Sequence, residues 1–505
     1  MKKLLCFLFS AVMIFSAAGC SVNSEPEIID NSAVLGSVSE ETSSEGIEIS
    51  AISGESSSYG AESSEETSSA DESSSSSSSK TESISSSSSS KSEASSSKSS
   101  SEESSEVSSE SSSESSSESS SVSENSEETS SEQITNTAPP IGETKAVWIS
   151  YLEYQSILQG KTKSQFTGNI KSMFAKLASD GFNTVYVHAR SHSDAMYDSD
   201  IYPWSVYCTG TEGKNPGFDP LEIMVNEAHN CGLRIEAWVN PYRIKGNSNT
   251  SKIASDSPAY KWLDTGKVIV LDNGIYYNPA DRDVIDLIVS GVEEIVRKYD
   301  VDGIHFDDYF YPTTAESFDK AYYNDYKASG GTLKLAAWRR HNVNILIKEV
   351  YSAIKAIDSS CRFGISPAGN MEQNYNTLYC DVYTWVTSAG YVDYICPQIY
   401  FGFNNKTRPY LDVLAEFSGM ITRNDVELIV GLAAYKCGAE DTYAGTTGKT
   451  EWQNHNDILA RQINAARYES RYGGFALYRY DSLYNPASEV KSTVKAELDN
   501  LKKIM

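Results

Sequence analysis

The sequence predicts a (β/α)8 barrel preceded by a long unstructured tether. Three observations point there. Eight short runs rich in β-branched and aromatic residues follow one another after Glu143, and amphipathic stretches of helical spacing separate them. No glycine-rich phosphate loop follows the first run, which weakens the competing doubly wound sheet. Strand then helix, repeated eight times over about 350 residues, closes most naturally as a barrel with insertions.

In order, the runs are AVWISYL (146–152), FNTVYVHAR (182–190), LRIEAWVNP (233–241), VDGIHFDDY (301–309), RFGISPAGN (362–370), VDYICPQIY (392–400), ELIVGLAAY (427–435) and GGFALYRY (473–480). Helices are expected over 164–179, 220–230, 281–299, 336–357, 411–422 and 456–472. In the third of these, Ile285, Ile288, Val289, Val292, Ile295 and Val296 recur on one face. Asp281 suits its start, and Arg297 with Lys298 suits its end. The connection after the fifth run is poorly helical and is the weakest part of the pattern.

Two segments precede the barrel, which is expected over 144–505. Residues 1–20 have the build of a secretory signal, with Lys2 and Lys3 before an apolar stretch too short to span a bilayer. The stretch ends in Ala-Gly-Cys and resembles a lipoprotein signal, with Cys20 as the lipidated residue. An ordinary secretory signal, cleaved nearby, is the alternative. Residues 21–143 are dominated by Ser and Glu and cannot bury enough apolar surface to offset chain entropy, so they are expected to be disordered. This segment carries −23 of the formal charge of −27 and the signal carries +2, which leaves −6 for the barrel. The acidity therefore belongs to the tether, and nothing in the folded part suggests a nucleic-acid partner. As a flexible coil the tether spans roughly 60 Å and would hold the barrel away from a membrane. The expected setting is thus the extracellular face of a cell membrane, reached through the lipid at Cys20, with the barrel a monomer.

Six cysteines fall in the barrel (Cys208, Cys231, Cys361, Cys380, Cys396 and Cys437) without metal-ligand spacing, and no bridge is assigned.

Barrel chemistry sits at the carboxyl ends of the strands. The second run ends in His188, Arg190, His192 and Asp194, and the third in Trp238, Asn240, Tyr242 and Arg243. The fourth ends in His305, Asp307, Asp308 and Tyr309, the sixth in Gln398 and Tyr400, and the eighth in Arg479, Tyr480 and Asp481. Aromatics, carboxylates and amides round one mouth suit a carbohydrate, whose C–H faces stack on rings and whose hydroxyls pair with polar groups. The expected lining is Arg190, Asp194, Trp238, Asn240, Tyr242, Arg243, His305, Gln398 and Tyr400.

Cleaving a glycosidic bond requires one carboxyl group that gives a proton and another that is ionised. Asp307 is the leading catalytic candidate, because it shares a strand face with Gly303 and His305. Asp308 falls on the other face, as a supporting group, or as the acid if the strand breaks there. Asp194, Glu372 and Asp481 are other possible partners, and spacing does not rank them. His188 and His192, four apart, together with Asp307 and Asp308, offer a metal-dependent deacetylase as a minor alternative; no metal or cofactor is expected. A non-catalytic glycan-binding protein is the rival from another class.

Five stretches taken together carry a resemblance: HARSHSDAMYDSDIYPWS, FDPLEIMVNEAHNCGLRIEAWVNPYRI, YYNPADRDVIDLIVSGVEEIVRKYDVDGIHFDDYFYP, GISPAGN and VDYICPQIYFGF. In that order they resemble the glycosyl-hydrolase-like family 10 of bacterial lipoproteins and exported proteins. The resemblance implies an extracytoplasmic barrel with glycosidase activity on peptidoglycan glycan strands, notably strands stripped of their stem peptides. The fourth run also looks like the nucleophile strand of α-amylase-type barrels and like the chitinase signature. Asp307 matches a functional position in both, while Tyr309 stands where the chitinase acid would be. Glu236 departs from the family habit and is given no role.

Overall fold

A computed structural model describes residues 142–505; the signal, Cys20 and nearly all of the tether lie outside the described residues. Eight parallel strands close a barrel: β1 (Thr144–Ile149), β2 (Thr184–Arg190), β3 (Arg234–Val239), β7 (Gly303–Phe306), β8 (Arg362–Ile365), β9 (Tyr394–Ile395), β10 (Glu427–Ala433) and β11 (Tyr472–Tyr478). Each of the eight expected runs overlaps one of them, and six contain theirs whole. Ladders β1–β2 and β1–β11 complete the ring.

Three further strands, β4 (Arg243–Lys245), β5 (Val268–Leu271) and β6 (Gly274–Tyr277), form a small antiparallel sheet in the connection from β3 to β7. The sequence reading did not include this sheet. Its signal is the Asp272-Asn273-Gly274 turn between two short β-rich runs, a common hairpin signature.

The main outer helices are α1 (Lys163–Ser179), α2 (Pro220–Asn230), α3 (Arg282–Lys298), α4 (Leu335–Ile357), α5 (Tyr410–Met420), α6 (Ile458–Ala466) and α7 (Lys491–Lys502). α3 shows why they form. Asp281 accepts the Val284 N–H at 3.2 Å to cap its start, and Val284, Ile285, Ile288, Val292 and Ile295 are buried on one face. Each such burial stabilises the fold by roughly 1.5–3 kcal/mol. The connection after β8 is irregular, with only short helical turns between Met371 and Thr387.

Alternation along the strands separates two cores. Ile304 and Phe306 of β7 point outward into the large apolar layer beneath the helices. The inward positions form a second, aromatic cluster within the ring, with Ala146, Trp148, Tyr186, Trp238, Tyr394, Cys396, Ile429 and Ala476 buried and Tyr478 packed on it. All six cysteines are unpaired, and five are buried.

Candidate active site

The fourth barrel strand ends at Phe306, before either aspartate. The Tyr309 N–H returns to Asp307 Oδ1 at 3.2 Å, and the Phe310 N–H to the Asp308 carbonyl at 2.9 Å. Two tight local turns thus follow the strand, and the alternation expected to separate Asp307 from Asp308 does not extend to them. Both carboxyls are buried, at 3% and 4% exposure, and each bears on the other. The sequence condition for Asp308 to join Asp307, a break in the strand, is met.

Asp307 has two donors. The Trp238 indole N–H reaches Oδ2 at 3.1 Å, and the Tyr309 N–H meets Oδ1. An indole N–H only donates, so both oxygens of Asp307 act as acceptors, which favours the ionised form. Asp308 accepts hydrogen bonds from the Gln398 side chain and a backbone N–H, and the Gln398 amide also donates to the Ser366 carbonyl at 3.2 Å. Burial raises both carboxyls above the usual carboxylate range, and the neighbouring Asp308 charge raises Asp307 further, while Arg243 opposes the rise in each. Mutual repulsion belongs to the pair, so the two hold one proton between them well above the pH at which free carboxyls lose theirs. Donors reach both carboxyls, the Trp238 and Tyr309 N–H groups at Asp307 and the Gln398 side chain with a backbone N–H at Asp308, so the proton belongs to the pair.

Trp238 is itself held. Its ring stacks on His188, and the His188 Nδ1 accepts the Tyr151 N–H at 3.2 Å. The proton of His188 is therefore on Nε2, 3.3 Å from Asn240 Oδ1. Burial first, then the Arg243 charge, pushes His188 well below its ordinary pKa and keeps it neutral. The Nδ2 of Asn240 is buried with no protein partner. Arg243 is positioned by β4: its Nε and Nη2 donate to the Ser191 carbonyl at 3.2 and 3.1 Å. Its guanidinium lies 4.3 Å from the Tyr309 ring centroid and 5.7 Å from that of Tyr151.

His305 differs from the expectation that it contacts sugar. It is fully buried inside the ring, where Nε2 accepts the Trp148 indole N–H at 3.1 Å. The proton must then be on Nδ1, which donates to the Tyr394 hydroxyl at 2.8 Å; Tyr394 passes its own hydrogen to Glu236. Burial pushes His305 down to about 3, so the ring stays neutral. Its work is to fix Trp148 from within the barrel.

Arg190, Asp194 and Tyr242 are also set back from the mouth. The Arg190 guanidinium lies over the Tyr202 ring at 4.3 Å, and Asp194 accepts the Val206 N–H at 3.3 Å. Tyr242 is fully buried against Phe310. Of the other proposed partners, Asp481 neighbours the Glu153–Arg479 pair, and Glu372 is exposed in a short turn after β8. His188 and His192 do not join the aspartates as ligands, and among the described residues no three such side chains are arranged to hold a metal ion.

The half-buried rings at the mouth include several that the sequence reading did not single out: Tyr151, Tyr207, Tyr435 and Tyr478. Tyr400, Tyr435 and Tyr478 cluster with centroids 5.8–6.2 Å apart, and Tyr151 packs on Tyr207 at 4.8 Å. Tyr151, Tyr435 and Tyr478 stand at or just beyond the ends of β1, β10 and β11, where a strict reading of every strand end would have found them.

A family model described as Glycosyl hydrolase-like 10 matches residues 143–445. The glycosyl hydrolase YngK of Bacillus subtilis (strain 168) is 38% identical over 321 residues, covering 58% of this chain and 61% of the relative. The chain thus spans about three fifths of that relative's length. The glycosyl hydrolase DigH of Escherichia coli (strain K12) is 34% identical over 341 residues, covering 61% of this chain and 74% of the relative. Among solved structures, the PgaB (BpsB) glycoside hydrolase domain from Bordetella bronchiseptica aligns with a TM-score of 0.48 and 14% identity, over 71% of this chain and 99% of that chain.

Proposed function

The chain belongs to the glycosyl hydrolase-like 10 family, and from that premise we propose that it hydrolyses glycosidic bonds in cell-wall glycan, with Asp307 and Asp308 as the working carboxyls. One observation carries the reading: two adjacent carboxyls are buried at the carboxyl end of the barrel, each raised above the ordinary carboxylate range, beside a wall of tyrosine rings. Such a pair supplies a proton donor and a fixed negative charge in one place, as departure of a sugar leaving group demands. The rings offer faces to sugar C–H groups, and Gln398, Asn240 and Arg243 offer donors to hydroxyls.

Peptide-free peptidoglycan strands are the proposed substrate. The proposed setting is outside the membrane, with a monomeric barrel tethered through Cys20; both rest on the sequence.

The test incubates the full chain with purified peptide-free glycan strands and reads the products by mass spectrometry. Shorter saccharides are expected from the native protein and none from Asp307→Asn. A protein that sediments with the polymer yet releases no fragments is a binder, and the hydrolase reading falls.

A further inference from the structure

Three cations of the strand-end loops are matched by carboxylates. Lys245 pairs with Glu212, Lys436 with Asp441 at 2.9 Å and Arg479 with Glu153 at 2.5 Å. Arg243 is held differently. Its Nε and Nη2 both donate to the Ser191 carbonyl, and two rings flank its guanidinium, Tyr309 from beyond β7 and Tyr151 from beyond β1. Asp307 acts on it through space, and among the described residues no carboxylate forms an ion pair with it. The side edge of the guanidinium is thus taken, while the end edge, Nη1 with the second N–H of Nη2, has no protein partner. That edge matches the two oxygens of a carboxylate.

The same strand end carries a second unmatched donor. Asn240 and Asp307 each lie one step past the Val239–Phe306 pair that ends the β3–β7 ladder. Asn240 is 1% exposed, and the Nε2–H of His188 donates to its Oδ1, which turns the amide nitrogen the other way. That nitrogen is buried without a protein partner. His188 and His192 are kept neutral by burial and by the Arg243 charge. The mouth is therefore unequal. Tyr400, Tyr435 and Tyr478 present rings on the β9–β11 side, and the β3 side presents donors around one fixed positive charge.

Resting on the glycan reading above, we propose that Arg243, with the Asn240 amide, forms a subsite for a carboxylate carried by a sugar beside Asp307, and that this subsite selects acidic glycan strands. A strand relieved of its stem peptides carries a carboxylate where each peptide was joined; a strand that keeps them carries an amide there. Arg243 only donates, so an amide, with one oxygen and an N–H, loses half of the pairing. The subsite also bears on the aspartates. Arg243 opposes the rise in both, so a bound carboxylate that offsets its charge lets the pair keep the shared proton to higher pH. The other groups around Arg243 are the phenols of Tyr207, Tyr276 and Tyr309, which burial raises, and that of Tyr151.

The experiment offers the full chain peptide-free strands with free carboxyls and the same strands with each carboxyl converted to a methylamide. The native chain should cleave the acidic strand with kcat/KM about 30-fold or more above that of the methylamide, chiefly through KM. Arg243→Lys keeps a positive charge without the fork, and Arg243→Gln loses both; each should reduce that ratio to about 3-fold or less, whatever its absolute activity. On the acidic strand the alkaline limb of kcat should lie at higher pH than that of kcat/KM, and on the methylamide the two should coincide. Calorimetry on the native chain adds N-acetylmuramic acid, glucuronic acid and the methylamide of each. Tighter binding of either acid than of its own amide supports the subsite and identifies which carboxylate it takes. Equal kcat/KM on the two strands, with coincident limbs on both, overturns the subsite and leaves the glycosidase reading standing, as does a ratio undiminished in both Arg243 variants. If neither strand is cut the glycosidase reading falls, and calorimetry decides the subsite: no preference for either acid over its amide overturns it.

Discussion

Trp238→Phe separates two things that the native side chain does at once. The phenyl ring keeps a stacking face for His188 but removes the N–H that Asp307 Oδ2 accepts. A hydrogen bond to a charged group is worth about 1.5–3 kcal/mol, so the variant should hold Asp307 less firmly ionised. Hydrolysis by this pair needs one carboxyl charged and the other protonated, which makes the pH–rate profile a bell. On the acid side the pair gains a second proton and its charge is lost; on the alkaline side the pair loses its shared proton and the acid is gone. Burial and mutual repulsion raise both ionisations, so the whole bell lies above the range of free carboxyls. In Trp238→Phe the acid limb should move to higher pH and kcat should fall about 10-fold or more, with KM less affected. An unmoved acid limb in steady-state assays across pH would remove Trp238 from this role.

The same pair is costly to the fold. Its folded pKa values exceed the unfolded ones, so its contribution to stability is present below the unfolded values and is lost as pH rises through the raised ones. Asp307→Asn should therefore gain thermal stability at about pH 9 relative to the native chain and show little gain at about pH 4. Melting followed by circular dichroism at both values checks the sign.

At the scale of elements, the ring is packed by glycine where an aromatic crosses it. A Cβ on Gly364 of β8 would lie within the Tyr394 ring, and one on Gly303 of β7 would meet Glu236 and the Arg362 carbonyl, below 3.0 Å. Gly364→Ala should displace Tyr394, break the string from Trp148 through His305 to Glu236, and destabilise the barrel by about 1–3 kcal/mol. Urea denaturation measures this, and a midpoint equal to that of the native chain would contradict the packing. Such contacts join strands far apart in the chain, so no local pattern announces them. What was legible was local. Eight β-rich runs and the α3 periodicity gave the barrel, and the polar strand ends gave Asp307, Trp238 and Gln398. The break after Phe306 was not legible, because it depends on side-chain-to-backbone bonds at Asp307 that a continuing strand pattern conceals. His305 was misplaced for a related reason: a polar residue two positions before Asp307 looks exposed until the partners inside the ring are known.

Across the whole molecule, the two ends of the barrel carry different tasks, as this architecture requires. The end opposite the aspartates is closed by a seam between the first and last strands. Arg467 grips Glu143 through Nε at 2.7 Å and Nη2 at 2.9 Å, and Tyr472 of β11 donates to the same carboxylate at 2.8 Å. Arg467 also donates to the Ile504 carbonyl, and Lys145 of β1 to that of Met505. These groups pin the start of β1 and the residues after α7 to β11, and none of them contacts the mouth. Arg467→Ala removes one bidentate pair and one backbone contact from a half-exposed site, where solvent screening limits the loss to about 1 kcal/mol. The melting temperature should fall by a few degrees while kcat and KM on the glycan stay at native values. A fall in kcat with an unchanged melting temperature would mean that the seam communicates with the aspartates. Division of labour between the ends would then fail for this barrel.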